Sequence, residues 1–237
     1  MRIRSKTQSG LAVVSLAIVV CGCGGDSFSR LSPISTTPTP TPSVPTGPTV
    51  TLTGQVSVAA GDAGNVSVSV YPLKMSPAWS GPWGRSSQAD ASGRYRITNV
   101  PEHHDTAYVT AWKNGFVQQC ATAVTLATDT SADMTITARA NALISGLPRA
   151  PNTRHVSGTV YEMRDNERRP VAGVWVGWEP IMDTVIADTF TDAQGRYSIC
   201  GLPRERLEVF AVRLGSFRPV SMNVEAGGDA VIDFELP

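Results

Sequence analysis

One phrase occurs twice in this chain. Asp90-Ala91-Ser92-Gly93-Arg94-Tyr95 returns as Asp192-Ala193-Gln194-Gly195-Arg196-Tyr197. The echo continues outward: Ile97 and Val100-Pro101 match Ile199 and Leu202-Pro203, and Gly115 matches Gly215. A repeat this long is a whole small domain, too long for a solenoid unit. The chain is read as two copies of one module. Its 21 Gly and 17 Pro, with 7% aromatics, suit short strands punctuated by turns. With 20 basic and 20 acidic residues the formal net charge is +0, which argues against nucleic acid or an anionic membrane surface as an electrostatic partner.

The first fifty residues follow a different logic. Arg2, Arg4 and Lys6 precede an apolar run from Leu11 to Val20, too short for a comfortable membrane span and shaped like a secretory signal. The run ends in Val20-Cys21-Gly22-Cys23. A small residue before a cysteine, with aliphatics upstream, resembles the lipobox of bacterial lipoproteins, with Cys23 as the lipid carrier. The competing reading is an ordinary signal peptide with Cys23 an incidental thiol. Alternating Thr and Pro then run from Thr36 to Pro48, a composition that stays extended and builds no core. A lipid anchor followed by a stalk describes a protein displayed at a surface.

The second copy reads most clearly. Val156 to Tyr161 alternates as a strand, Pro170-Val171-Ala172-Gly173 leads into Val174 to Trp178, and Phe190-Thr191 enters the Asp192–Gly195 turn. There the carboxylate caps backbone amides and Gly accepts positive φ. Leu207 to Val212 and Val231 to Leu236 complete a pattern of short strands that means an antiparallel sandwich. These residues resemble the carboxypeptidase regulatory-like module. The carriers are Gly158-Thr159-Val160, Pro170 to Val174, Thr191 to Tyr197, Gly201-Leu202-Pro203 and the closing strand. The first copy lacks the Pro-Val-Ala-Gly element and carries an insertion, Ser76 to Trp83. The resemblance implies a transthyretin-like (prealbumin-like) sandwich of the carbohydrate-binding-like group. The expected architecture is all-β, two tandem antiparallel Greek-key sandwiches. A signal peptide spans 1–22, a disordered Thr/Pro-rich tether 23–50, the first domain 51–138, a linker 139–153 and the second domain 154–237. The polar, Pro-containing join predicts modules that fold independently.

The chemistry is sparse. The repeated Asp-x-x-Gly-x-Tyr offers one carboxylate per motif where a calcium loop needs several oxygen ligands, so Asp90 and Asp192 are read as turn residues and Tyr95 and Tyr197 as core. His103 and His104 are adjacent in a strand-end loop with no third ligand at useful spacing. No nucleophile elbow or catalytic cysteine signature is present. Catalytic relatives of the fold are tested in turn. The hydroxyisourate hydrolase tail is replaced by Phe234-Glu235-Leu236-Pro237, and two His and two Tyr for iron do not assemble. Lys for an isopeptide bond is absent from the second copy. The reading is a non-enzyme with no metal and no cofactor.

What remains is surface. Trp175 alternates out of phase with Val174, Val176 and Trp178, while Trp79 and Trp83 lie in a Pro/Gly/Ser loop. Exposed, these three are candidate ligand-binding residues, because aromatics stacked on sugar rings and exposed apolar groups mark interaction sites. The alternative packs the Trp loop over a sandwich edge and Trp175 between the copies; Trp is mostly buried on average, which tilts toward it. Cys120 and Cys200 occupy non-equivalent places in different modules, and free thiols are favoured over a bridge. The functional expectation is a non-catalytic surface lipoprotein, anchored to the membrane through Cys23 and binding a carbohydrate or an envelope protein. The alternative is a purely structural spacer in a cell-envelope assembly.

Overall fold

The computed structural model describes residues 47–59, 63–73, 85–181, 184–216 and 218–237. Cys23, Trp79 and Trp83, with the signal and nearly all of the tether, lie outside them. The described residues form strands and turns, with one short 3-10 turn at Arg139–Asn141. The first sandwich comprises β1 (Thr49–Ala59), β2 (Ser67–Pro72), β3 (Arg85–Gln88), β4 (Arg94–Pro101), β5 (His103–Trp112), β6 (Phe116–Val117), β7 (Thr122–Leu126), β8 (Thr130–Ser131) and β9 (Met134–Ala138). The second comprises β10 (Arg154–Arg164), β11 (Glu167–Pro170), β12 (Val174–Trp178), β13 (Ala187–Phe190), β14 (Arg196–Leu202), β15 (Leu207–Arg213), β16 (Val220–Val224), β17 (Ala230–Val231) and β18 (Phe234–Leu236). Strand β1 begins at Thr49, inside the stretch read as tether.

The repeat in the sequence is a repeat in topology. The sheet ordered β3-β2-β5-β7 recurs as β13-β12-β15-β16, and β4-β1-β9 recurs as β14-β10-β18. The all-β double sandwich is antiparallel apart from one arrangement in each copy. There β1 runs parallel to β8 and β9, and β10 parallel to β17 and β18. Period-2 alternation fills both cores: Val66, Val68 and Val70 lie beside Ala107, Val109 and Ala111 in the first, while Val174, Val176 and Trp178 join Val209 and Ala211 in the second.

Two local devices explain the repeated phrase. Oδ1 of Asp90 accepts the backbone N–H groups of Ser92 and Arg94, both at 2.9 Å, and Oδ1 of Asp192 accepts those of Gln194 and Arg196 at 2.9 and 2.8 Å. Gly93 and Gly195 follow with φ of 81° and 71°, the left-handed conformation that Gly accepts without a Cβ penalty. The Ser92 hydroxyl and the Arg94 amide hold the Asp90 carboxyl below its ordinary value. The tyrosines close the second device. Tyr95 pairs with Gly54 across β4 and β1, and Tyr197 with Gly158 across β14 and β10. Their hydroxyls donate to Ala132 O at 2.5 Å and Ile232 O at 2.7 Å. A Cβ on Gly54 or Gly158 would stand 2.0 or 1.8 Å from that same carbonyl oxygen. Gly makes room for the crossing carbonyl and Tyr satisfies it; burial pushes both phenols above their ordinary value.

Tyr197→Phe leaves the Ile232 carbonyl without its partner at constant packing. It should cost about 1–3 kcal/mol, the penalty for a stranded buried acceptor, and Tyr95→Phe should cost a similar amount. Chemical denaturation of the two variants checks this; unchanged midpoints in both would contradict the clasp.

Candidate functional site

The two sandwiches are joined by more than their linker. In the second copy, β13 and β14 are edge strands of opposite sheets, and the seam between them is closed by the segment Gln118–Ala121 of the first copy. Ala121 N–H donates to Cys200 O and Cys200 N–H to Gln119 O, both at 2.8 Å. Asp188 N–H donates to Gln118 O at 2.9 Å, and Gln118 N–H returns to Asp188 Oδ1 at 3.0 Å. A disulfide joins Cys120 to Cys200. This corrects the expectation of free thiols. Cys200, on β14, meets the other module with both its backbone and its sulfur. A bulge helps aim it: the pairing of β10 with β14 shifts between Arg154 and Val156, and Gly201 takes φ of 72°. A Cβ there would lie 2.2 Å from Ala121 O.

Two glutamines seal the seam, each only 4% exposed. Gln118 accepts from Ala111 N–H at 2.7 Å and donates to Val109 O and Cys120 O. Gln119 accepts from Leu143 N–H at 2.9 Å and donates to Leu143 O at 2.7 Å, with Ser198 O and Thr189 Oγ1 close by at 3.2 and 3.3 Å. Every polar end is occupied, which is the condition for a buried polar network to hold rather than weaken a core. Tyr108 and Ala121 of the first copy belong to the second copy's core cluster. The Tyr108 ring meets Trp178 edge-on, centroids 5.1 Å apart, and burial pushes its phenol up to about 12. The second core is thus completed by residues of the first copy.

The clamp leaves a cleft of about 520 Å³ between the sandwiches. From the first copy come Tyr71, Trp112 and Phe116; from the second, Trp175 and Phe190. Hydroxyls of Ser67, Ser69, Thr110 and Thr184 also line it, with Arg139 and Asp188 as the charged groups. Arg139 stacks over the Phe190 ring at 4.6 Å. Trp175 is half-buried; its indole N–H donates to Asp188 Oδ2 at 2.9 Å, which fixes the ring's orientation. Asp188 thus ties the Trp175 ring to the seam through its two oxygens. Burial pushes its carboxyl above the ordinary value, against the opposing pull of the Trp175 and Gln118 N–H groups and of Arg139.

Of the three tryptophans proposed from sequence, Trp175 is placed in a cleft, and Trp79 and Trp83 lie outside the described residues. Trp112, 68% exposed, was missed. Its signal was available: Ala107, Val109 and Ala111 set the inward phase of β5, so Thr110 and Trp112 point outward. Gln118 and Gln119 gave no signal, because polar residues after a turn read as solvated loop. Among the described residues no group of three or more His, Cys, Asp or Glu could hold a metal ion.

No protein-family model matches the chain, and no curated protein matches it. Among solved structures it is similar to the minor pilin of Streptococcus agalactiae, at 12% identity over 78% of this chain and 94% of that one, with a TM-score of 0.26. It is also similar to the shaft pilin SpaA of Lactobacillus rhamnosus GG, at 10% identity over 80% and 100%, with a TM-score of 0.27. A third is the dioxygenase domain of a dioxygenase carbohydrate-binding protein fusion from Streptomyces sp. SirexAA-E, at 16% identity over 39% and 84%, with a TM-score of 0.28.

A carboxyl held above its ordinary value gives the native state a greater proton affinity than the unfolded chain. Asp188 therefore contributes stability below about pH 3.8, the ordinary value, and loses that contribution as pH rises through its folded pKa. Relative to Asp188→Asn, the wild type should lose stability as pH is raised from 3 upward. Thermal denaturation of both across pH 3–8 checks the sign; a wild type that gains on the variant with rising pH would contradict it.

Proposed function

We propose that this chain is a non-catalytic protein of the bacterial cell envelope that holds a carbohydrate in the cleft between its two sandwiches. The observation that carries the reading is that Trp112 and Trp175, one from each copy, line the same cleft among hydroxyl side chains. Flat aromatic faces supply apolar area at small entropic cost, and hydroxyls supply the adaptable polar partners a sugar needs. The cleft exists because the clamp holds its walls, so the site is preformed, as small-ligand sites usually are.

Display at the envelope is supported by the lipobox-like Val20-Cys21-Gly22-Cys23 and by the Cys120–Cys200 disulfide, since disulfides persist in oxidising compartments. In this reading Cys23 carries the lipid, the Thr/Pro tether spaces the sandwiches from the membrane, and nucleic acid is not a partner. Among the described residues no helix is long and apolar enough to cross a membrane. The carboxypeptidase regulatory-like resemblance fits the sandwich architecture and leaves the ligand open. A second reading, a rigid spacer within an envelope assembly, draws on the clamp itself, because a locked module pair transmits position without needing a ligand.

Binding to an array of polysaccharides separates the two. The carbohydrate reading expects retention on at least one glycan, reduced roughly tenfold or more in Trp112→Ala, a loss within the energy of one stacked aromatic. Trp112 is exposed enough that this variant should keep the wild-type melting curve. Binding to no glycan, with specific retention of an envelope protein, would favour the spacer.

A further inference from the structure

A residue of the linker, Arg139, reaches into the cleft between the sandwiches. It follows β9 directly, and its N–H donates to Gly115 O at 3.0 Å. Further on, the Leu143 main chain is bonded both ways to Gln119, so the chain is tied down on either side of the Arg139 turn. The side chain leaves the first copy and lies over Phe190 of the second, 4.6 Å from the ring centroid. Phe190 pairs directly with Trp175 across β13 and β12. Directly opposed residues share a face, with Cβ atoms about 5 Å apart. The guanidinium thus stands over the strand next to the one that carries the Trp175 indole.

Arg139 and Asp188 are the charged side chains lining this cleft, and they are not equivalent. Each Asp188 oxygen already holds a donor, Oδ1 the Gln118 N–H and Oδ2 the Trp175 indole N–H, and burial disfavours its charge. It has little to offer a cationic ligand. Arg139 is exposed, and among the described residues no carboxylate lies within ion-pair distance of it. The Phe190 ring offers no lone pair, so the N–H fork of Arg139, whose geometry matches a carboxylate bidentately, stays available to a ligand. The wall contributed by β2 and β5 is uncharged: Ser67 pairs with Trp112 and Ser69 with Thr110. With a formal net charge of +0 the protein has no long-range field to collect polyanions, so discrimination rests on local contact.

We infer that the ligand of this cleft is a linear acidic glycan of the hexuronate class. Its sugar rings lie on Trp112 and Trp175, a ring carboxylate accepts the Arg139 N–H fork, and Ser67, Ser69 and Thr110 meet its hydroxyls. The inference rests on the carbohydrate reading above and adds to it the charge of the ligand and the residue that selects it.

Calorimetric titration with an oligogalacturonate, its methyl ester and a short polyglutamate, at low and at physiological salt, tests it. The ester keeps the sugar backbone and removes the charge. The acid should bind about tenfold tighter than the ester, with the advantage shrinking as salt screens the contact. Arg139→Gln should erase that preference while leaving the affinity for the ester unchanged, which also shows that the variant is folded; Trp112→Ala should weaken both glycans. Equal affinity of acid and ester, or an unchanged preference in Arg139→Gln, overturns the hexuronate assignment and leaves the carbohydrate reading standing. Polyglutamate binding tighter than either glycan overturns the assignment in favour of an acidic peptide. Binding of neither glycan overturns the assignment, and the carbohydrate reading falls with it if the array also retains none.

Discussion

The arrangement of this molecule depends on how an open sandwich seam is closed. Edge strands present unpaired N–H and C=O groups, and proteins cover or blunt them. Strands β13 and β14 of the second copy are covered by Gln118–Ala121 of the first, through main-chain hydrogen bonds, two buried glutamines and a disulfide. The bridged cysteines are separated by 80 residues. In the chain-entropy picture a crosslink of that span restricts the unfolded state by roughly 4.5 kcal/mol, a large share of the ~5–15 kcal/mol typical of a domain. The core of the second copy, the orientation of Trp175 and the walls of the inter-module cleft all follow from this contact.

The repeat shows which features belong to the module and which to the pair. The Asp turn and the Gly–Tyr clasp recur with nearly the same geometry, so they are properties of the module. The clamp does not recur. Gly201 and Asn99 are matched positions, both with positive φ, at 72° and 56°. Asn99 nevertheless carries a Cβ where Gly201 admits Ala121, and Thr98 stands where Cys200 offers its sulfur. On the donating side, Pro219 cannot repeat what Gln119 does. The seam geometry is thus specific to one internal contact and does not propagate from module to module.

Much of the fold was legible in the sequence. Alternation placed Trp178 inward and Trp175 outward, and the Asp-x-x-Gly phrase read correctly as a turn, because both are consequences of local backbone geometry. The contacts between copies were not legible. Gln119 looks like a loop residue until Thr189 and Ser198 of the second copy arrive beside its amide, and Gln118 until Asp188 accepts its backbone N–H. Cys120 and Cys200 look unrelated because a pair that links two different modules need not sit at equivalent positions. Arg154 was read only as a domain start. It is fully buried and donates to the Glu205 and Glu225 carbonyls, both at 2.5 Å, partners that no local pattern announces. Trp112 was legible and overlooked, since the β5 alternation that buries Val109 and Ala111 turns it outward.

The central claim is that the sandwiches are clamped through one covalently closed seam. Mass-spectrometric mapping of the protein purified without reductant, alkylated and digested without reduction, tests it most directly. The account predicts a linked peptide pair containing Cys120 and Cys200 that separates on reduction. Recovery of both cysteines alkylated before reduction would contradict it.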